Sequence, residues 1–292
     1  MGDEDTTKRD ISLGAEQELG TKYPILDKGF VMLVDYMGND HTIANSARVS
    51  YGKVTVDKEK DRELIRYLMR NKHTTPFEMV EFKFHVKLPI FVARQWIRHR
   101  TANVNEKSGR YSKIKDEFYI PDPERVRLQS KANKQGSGEE VSSEIRQEVV
   151  DILENCATYS FRGYKEILKT GIAKELARID LPLSTYTEWY WKIDLHNLFH
   201  FLGLRMESHA QEEITKYSNQ MGVIVKNSVP IAWEAFKDYR IDSFSLSRLE
   251  QMAMQDIILG MNPQEAAKRY LETRYEETEF LEKMEELRGR KK

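Results

Sequence analysis

The chain has 292 residues, 40% of them hydrophobic and 32% charged, with 46 Lys and Arg against 47 Asp and Glu. This length allows one large domain or about two ordinary ones, and the apolar content excludes intrinsic disorder. The single cysteine excludes a disulfide framework and favours a reducing compartment. The sequence has neither a signal peptide nor an apolar run of the roughly 20 residues that span a bilayer. We therefore expect a soluble cytoplasmic protein.

The first half of the chain predicts alternating strands and helices. Residues 1–24 are polar and acidic and indicate a loose N-terminal arm. Residues 28–36 are rich in apolar and aromatic side chains and residues 77–88 alternate apolar with polar ones, so both predict strands. Between them, Asp57 is expected to cap a helix that closes near Asn71. Residues 90–98 return to a helical pattern.

The second half predicts mostly helices. Residues 128–143 have almost no large apolar side chains and predict an exposed polar loop. Residues 144–170 predict a long amphipathic helix with Cys156 on its apolar face, and residues 184–193 predict a strand followed by a helix that Asp194 caps. Residues 262–292 predict a C-terminal helix with a basic tail. The pattern indicates one helix-rich α+β domain over residues 1–292.

The densest polar cluster spans residues 95–111, which read QWIRHRTANVNEKSGRY. Arg98, Arg100 and Arg110 offer fixed guanidinium groups, and these suit phosphate because they are planar, always charged and rich in donors. A solvated basic face that pairs with acidic neighbours explains the same composition. Arginines among aromatic residues also fit a contact with RNA. The residue types alone leave these three interpretations open.

This segment resembles the signature RHRxxSxNExSxRY of the flavin-dependent thymidylate synthases, the ThyX family. Asn103 stands where the pattern has its first serine, and because Asn keeps hydrogen-bonding capacity we expect an altered contact and intact function. Further similarity lies in residues 47–52 and 73–78 and around Arg178 and Arg205, so that the resemblance covers roughly residues 28–220. The matching motif residues are Arg98, His99, Arg100, Asn105, Glu106, Ser108, Arg110 and Tyr111.

The resemblance implies both a fold and a reaction. The fold is a central, largely antiparallel sheet flanked by helices, in a homotetramer with active sites at the subunit interfaces. The reaction is methylation of deoxyuridine monophosphate (dUMP) to deoxythymidine monophosphate (dTMP). 5,10-Methylenetetrahydrofolate gives the carbon, and FAD reduced by NADPH gives the hydride. The expected partners are these small molecules, with neither nucleic acid nor a membrane.

The resemblance also assigns roles to individual residues. Arg205 is the predicted catalytic residue, because an arginine beside N3 and O4 would stabilise the deprotonated uracil ring. Ser108 is assigned to binding, since a nucleophilic serine needs an adjacent base. Cys156 lies on an apolar helix face, where a thiol is more often a core residue than a nucleophile. The predicted dUMP residues are Gln95, Arg98, Glu106, Ser108, Gly109, Arg110, Arg178 and Arg205. The predicted FAD residues are Ser50, His73, Thr75, Glu78, Arg98, His99, Arg100, Glu106, Asp194, His196 and His200.

One pair of these residues also fits a rival function. His196 and His200 are four residues apart and share a helix face, which is how helical zinc ligands are spaced. The glutamate of the HExxH motif is missing, however, and a third ligand would have to come from Glu207 or His209. We therefore predict no metal site, and keep a helical His-metal hydrolase and a basic RNA-binding module as the alternative functions.

Overall fold

The computed structural model describes residues 9–52, 57–130, 137–207 and 210–289, and the chain forms two compact units, Met1–Phe236 and Lys237–Lys292. The prediction of a single catalytic domain stays a prediction, because compactness alone does not say which residues take part in catalysis. Within the described residues, no helix combines the length and the apolar character needed to cross a membrane.

The first unit contains all the strands that the described residues form. Its elements are α1 (Leu13–Glu18), β1 (Lys22–Ile25), β2 (Gly29–Met37), α2 (Asp40–Arg48), α3 (Lys58–Arg70), α4 (Thr75–Glu78), β3 (Glu81–Pro89), α5 (Ile90–Trp96), β4 (Asn103–Glu106), β5 (Arg127–Gln129), β6 (Ser137–Glu140), α6 (Ser143–Lys169), α7 (Lys174–Ala177), β7 (Tyr186–Asp194), α8 (Leu195–Arg205), α9 (Glu212–Ser228) and α10 (Pro230–Phe236).

Five strands form one sheet in the order β1-β2-β3-β7-β4, and every neighbouring pair is antiparallel. This arrangement confirms the predicted α+β class with a central antiparallel sheet. Alternate side chains of β2, β3 and β7 are buried on one face, as period-two strands require. The helices α5, α8 and α9 pack against these strands. The sheet therefore carries the helices on which Gln95, His196, His200 and Arg205 lie.

Trp96 of α5 lies at the centre of the core beneath the sheet. Its ring stacks on Phe201 of α8 with centroids 4.8 Å apart and meets the edges of Trp189 and Trp191 at 5.7 and 5.2 Å. Burying an aromatic side chain of this size stabilises the fold by about 1.5–3 kcal/mol. Because Trp96 ends α5, this packing fixes the starting point of the arginine-rich segment that follows it.

Local signals in the sequence are confirmed where they concern caps and strands. The carboxylate of Asp57 accepts hydrogen bonds from the backbone N–H of Glu59 and Lys60, at 3.2 and 3.3 Å, at the start of α3. Asp194 caps α8 by accepting from the N–H of Asn197 at 2.9 Å. The strand predicted over 77–88 begins later, at Glu81, because Thr75–Glu78 forms the short helix α4.

The prediction of a loose arm over residues 1–24 is wrong for the part that the structure describes. Residues 13–18 form α1, and Ser12 fixes its start by accepting from the N–H of Ala15 at 3.1 Å. The Ser12 hydroxyl also donates to the carbonyl oxygen of Ser228 at 2.6 Å, which fastens α1 to the end of α9. Residues 1–8 lie outside the described residues.

Two further boundaries differ from the prediction. The segment 128–143 contains strand residues, because β5 and β6 form a separate antiparallel pair. The β5 side chains are all exposed, so the segment shows no apolar alternation, and residues 131–136 lie outside the described part.

The apolar face predicted for α6 is also wrong, because a different set of its side chains packs into the core of the chain. The buried residues of α6 are Val150, Ala157, Phe161 and Tyr164, whereas Cys156 is exposed. The exposed stripe also includes Ile145, Ile152, Leu153 and Tyr159.

The second unit consists of a π-helical turn (Lys237–Ile241), α11 (Arg248–Ile258), α12 (Pro263–Tyr270) and α13 (Arg274–Gly289). The single C-terminal helix predicted over 262–292 is therefore two helices. Asn262 caps α12 as expected, by accepting from the N–H of Gln264 at 2.9 Å. The chain becomes extended at Leu271, which lets Phe280 of α13 fold back into one core with Ala266 and Ala267. Residues 290–292, the end of the predicted basic tail, lie outside the described residues.

Candidate functional site

The turn after α5 sets the direction of the Arg-His-Arg triplet. The backbone N–H of Arg98 donates to the carbonyl of Gln95 at 3.3 Å, and that of His99 donates to the carbonyl of Trp96 at 3.0 Å. These bonds continue the helical turn beyond the buried Trp96 as far as His99. As a result His99 is partly buried while Arg98 and Arg100 are exposed. The triplet therefore presents one imidazole to the protein and two guanidinium groups to solvent.

His99 contacts the predicted catalytic residue directly. The Nε of Arg205 donates to Nε2 of His99 at 3.1 Å, across 106 positions of sequence. Both side chains are partly buried, and the edge of the His99 ring meets Phe201 with centroids 4.9 Å apart. Since Nε2 accepts this bond, the ring proton of neutral His99 sits on Nδ1. The contact joins the turn after α5 to the end of α8.

The surroundings of this pair keep the imidazole uncharged. Burial lowers the pKa of His99 to about 4, with further lowering from the positive charge of Arg205 and from His200. Burial also lowers the pKa of Arg205, but a guanidinium stays charged at any working pH. At neutral pH the pair is therefore one fixed positive charge and one neutral acceptor.

A pocket lies beside β4 and the start of β7, and it collects three of the predicted nucleotide residues: Glu106, Gly109 and Arg178. Its cavity volume is about 70 Å³. Glu106 stands opposite Trp189 in the ladder between β4 and β7, and the hydroxyl of Thr187 donates to its Oε1 at 2.6 Å.

Gly109 forms part of the pocket wall beside Arg178. A Cβ at Gly109 would lie 2.8 Å from Cδ1 of Ile114 and 3.1 Å from Cδ of Arg178, closer than such atoms pack. The absence of a side chain at this position therefore lets the arginine stem pass.

Ser108 and Arg110 lie in a tight turn next to this pocket. The carbonyl of Ser108 accepts from the backbone N–H of Tyr111 and of Ser112 at 3.3 and 3.2 Å, and its Oγ accepts from the N–H of Arg110 at 3.3 Å. The Nε of Arg110 pairs with Glu175 at 3.0 Å, and both side chains are exposed. Exposed pairs of this kind stabilise by at most about 1 kcal/mol, so an anionic ligand can replace the carboxylate.

Gln95 and Arg205 lie elsewhere in the fold. The side-chain amide of Gln95 on α5 donates to the side chain of Gln211, which directly precedes α9. Arg205 ends α8, which follows β7, whereas the pocket of Glu106 adjoins the start of β7. The structure thus divides the predicted dUMP residues into a group near Arg205 and a group near Arg178.

The predicted flavin residues come from elements that pack together. Helix α4, which holds Thr75 and Glu78, packs against α2 and α8, and Phe77 meets Phe199 with ring centroids 6.5 Å apart. Ser50 is exposed in the turn that directly follows α2. On α8, His200 lies near His99 with ring centroids 6.1 Å apart, and His196 is partly buried.

Two flavin candidates already have partners of their own. His73 is exposed and meets the edge of Tyr67 with ring centroids 5.7 Å apart. Asp194 uses one carboxylate oxygen for the N–H of Asn197 and the other for its side-chain amide, at 2.9 and 2.7 Å. A flavin contact by Asp194 would share these oxygens with the helix cap.

The two exposed arginines of the Arg-His-Arg triplet fit an anionic cofactor. Arg98 and Arg100 are exposed, and neither forms an ion pair with any other residue in the described part of the chain. Two unpaired guanidinium groups flank His99, which contacts α8, and such groups suit the pyrophosphate of FAD. The described residues contain no group of three His, Cys, Asp or Glu side chains placed to hold a metal, and the prediction of no metal site stays a prediction. His209 is outside the described residues.

Sequence patterns gave no signal for several residues that support the site. Thr187 is one residue of a strand, and only the register between β4 and β7 places it against Glu106. Asp61 of α3 is another, because it accepts from Arg48 at 2.5 Å and contacts His41 Nδ1 at 2.7 Å. This network holds α2 immediately before the turn that carries Ser50. Asp61 lies on an amphipathic helix with no motif of its own.

Comparisons with known proteins find similarity over most of the chain. Residues 32–231 match the family described as Thymidylate synthase complementing protein. The flavin-dependent thymidylate synthase of Wolbachia pipientis is 51% identical over 258 residues, covering 88% of this chain and 91% of the relative. The flavin-dependent thymidylate synthase of Treponema denticola is 54% identical over 240 residues, covering 82% of this chain and 90% of the relative.

A solved structure is also similar, that of PolB from Streptomyces cacaoi, described as a UMP/dUMP methylase and bound with 5-Br dUMP. It is 34% identical with a TM-score of 0.68, and the match covers 75% of this chain and 99% of PolB. The family match extends over more than half of the chain, and the two synthases align over most of their own length. The chain therefore belongs to the flavin-dependent thymidylate synthases.

Proposed function

We propose that this chain methylates dUMP to dTMP, with carbon from 5,10-methylenetetrahydrofolate and with FAD reduced by NADPH. The observation that carries the activity is the 51% identity to a flavin-dependent thymidylate synthase over 88% of the chain. The family assignment favours this activity over an RNA-binding module or a helical His-metal hydrolase. The named roles below are proposals that the contacts of the site support.

Arg205 is the proposed catalytic residue. Carbon 5 of uracil is a weak nucleophile, so the ring needs negative charge stabilised on N3 and O4 before it attacks the one-carbon donor. A guanidinium that is partly buried stabilises such charge more strongly than it would in bulk water. The only cysteine, Cys156, is exposed on α6, and we assign it no nucleophilic role.

The pocket beside β4 is the proposed place for the nucleotide's sugar and phosphate. Arg178 lines it and has no carboxylate partner in the described part of the chain, so its charge is available to a phosphate. Arg110 would exchange Glu175 for the same phosphate. The full set proposed to bind dUMP is Gln95, Arg98, Glu106, Ser108, Gly109, Arg110, Arg178 and Arg205.

The elements α2, α4 and α8 and the Arg-His-Arg triplet are the proposed flavin site. Bound FAD would supply the hydride that completes the methyl group. Arg98 and Arg100 would bind its pyrophosphate, and the polar side chains of the three helices would hold the remainder. The set proposed to hold FAD is Ser50, His73, Thr75, Glu78, Arg98, His99, Arg100, Glu106, Asp194, His196 and His200.

We propose a homotetramer with active sites at the interfaces between subunits. Two features support it. The nucleotide residues fall into two groups along one chain, an arrangement that suits sites completed by residues of another copy. The stripe of Ile145, Ile152 and Tyr159 on α6 is exposed in the single chain, and apolar surface of this kind is typical of an interface. We also propose a cytoplasmic location, which suits nucleotide and folate substrates.

The visible absorption spectrum of the purified protein tests the cofactor, and dTMP formation from dUMP, methylenetetrahydrofolate and NADPH tests the reaction. Arg205→Ala should lower kcat by about 100- to 1,000-fold, the usual effect of removing one charge-stabilising group. Arg70→Ala, an exposed arginine at the end of α3, is the matched control and should change neither FAD content nor rate. A protein that neither contains nor binds FAD would overturn the proposal, and near-normal turnover of Arg205→Ala would overturn the role of Arg205.

A further inference from the structure

We infer that His99 is a positioning residue for Arg205, which it holds through a neutral hydrogen-bond acceptor. This inference rests on the proposed function, because it explains how the proposed catalytic guanidinium is directed. It differs from a flavin contact, since it acts on an amino acid of the same chain. The interaction is the bond from Nε of Arg205 to Nε2 of His99, 3.1 Å long.

The two terminal guanidinium nitrogens of Arg205 stay available to a ligand. A guanidinium has five N–H donors, and His99 engages the single one on Nε. In the described part of the chain no other residue accepts a hydrogen bond from Arg205. The four donors on the two terminal nitrogens thus remain for a ligand. Fixing Nε restricts rotation about the last bonds of a long side chain, so less conformational entropy remains to be lost when the guanidinium binds a ligand.

The imidazole is itself held by the protein. Its ring and that of the fully buried Phe201 meet edge to face with centroids 4.9 Å apart, and Phe201 in turn stacks on Trp96 at 4.8 Å between centroids. His99 lies in the turn that follows the buried Trp96, and its backbone N–H donates to the Trp96 carbonyl. Both its backbone and its ring are therefore held by the core. A side chain fixed in this way can define the position of its partner.

A neutral acceptor has an advantage over the usual partner of an arginine. A carboxylate at this place would bind the guanidinium more tightly, but it would also cancel the positive charge that the pyrimidine needs. Neutral His99 directs the arginine without neutralising it. Burial and the nearby charge of Arg205, together with His200, lower the pKa of His99 to about 4, so the acceptor persists at neutral pH.

The test compares two substitutions of His99 at equal FAD content, which the flavin absorption of each variant reports. His99→Gln keeps a neutral oxygen acceptor, whereas His99→Leu has a similar volume and no acceptor. We expect His99→Leu to lower kcat by about 10- to 100-fold, the usual cost of a misplaced catalytic group, and His99→Gln to recover most of that loss. Equal losses in the two variants would overturn the inference.

A double-mutant cycle gives a second readout. If His99 acts through Arg205, adding His99→Leu to Arg205→Ala should cause no further loss of kcat, because the partner is already absent. Losses that multiply would show that His99 acts independently and would reject the positioning role.

Crystal structures of the two variants separate this inference from the proposed function. The Arg205 side chain should leave its position in His99→Leu and keep it in His99→Gln, whatever reaction the enzyme performs. An unchanged Arg205 in His99→Leu would refute the inference even if the wild type makes dTMP. Conversely, a wild type that makes no dTMP would remove the proposed function, while the variant structures would still decide the positioning claim.

Discussion

A single methyl group at Gly109 should damage the phosphate end of the proposed nucleotide site. The Cβ of Gly109→Ala would lie 2.8 Å from Cδ1 of Ile114 and 3.1 Å from Cδ of Arg178. Separations below 3.0 Å are not tolerated, so at least one side chain must shift. The nearest atom is the flexible end of Ile114, which keeps the cost in the range of ordinary overpacking, about 1–3 kcal/mol.

The functional effect should appear in KM for dUMP more than in kcat. The stem of Arg178, 3.1 Å from the new methyl group, must give by a few tenths of an ångström, and each 1.4 kcal/mol of lost phosphate binding weakens affinity about tenfold. We expect KM to rise about 5- to 30-fold on this basis. Steady-state kinetics at saturating folate and NADPH measure the change, and urea denaturation measures the loss of stability.

Two further variants make this prediction specific. Gly163→Ala is the control, because a Cβ at this exposed position of α6 meets nothing within 4 Å and alanine favours a helix by up to about 1 kcal/mol. Ile114→Val removes the Cδ1 atom at 2.8 Å, so combining it with Gly109→Ala should restore part of the lost stability. Normal KM and stability in Gly109→Ala would refute the steric argument.

Four further changes have expected outcomes. Thr187→Val removes the donor to Glu106 but keeps the strand, so KM for dUMP should rise about three- to tenfold while the urea midpoint changes little. Ser108→Ala should leave measurable turnover, and complete loss with intact nucleotide binding would contradict its binding role. Gly14→Ala would place a Cβ 1.8 Å from a backbone oxygen of α9, so we expect α1 to detach and thermal stability to fall by several degrees. Burial raises the pKa of Asp40 to about 6, so the stability of the wild type relative to Asp40→Asn should decrease by up to about 3 kcal/mol as pH rises from about 4 to 6. Urea denaturation at several pH values measures this. A stability difference between the wild type and Asp40→Asn that stays constant with pH would contradict the prediction.

Local interactions explain what could be predicted. Asp57 and Asp194 bond to backbone groups only two or three positions away, so their capping roles are visible in a short window of sequence. The same holds for β3, whose side chains alternate between core and surface. The motif around Arg98 likewise occupies a continuous segment. Its match to a family therefore identified the activity before any geometry was known.

Long-range packing explains what could not be predicted. Helix α1 has a polar sequence and depends on a bond from Ser12 to Ser228, 216 positions away. Cys156 was expected in the core because its helix has an apolar stripe, but α6 offers two such faces and tertiary contacts select the one with Phe161. Periodicity reports that a face is apolar, and it does not report which surface meets that face.

The motif residues were enough to identify the family, its reaction and the candidate arginines, and the resemblance implied the antiparallel sheet. How those residues are held depends on long-range packing. It placed Thr187 against Glu106 through the register of β4 and β7, and His99 against Arg205 through the packing of α5 and α8 on one face of the sheet. Such pairs lie 81 and 106 positions apart, so no local pattern records them. They exist only once the hydrophobic core has fixed the strands and helices that carry them.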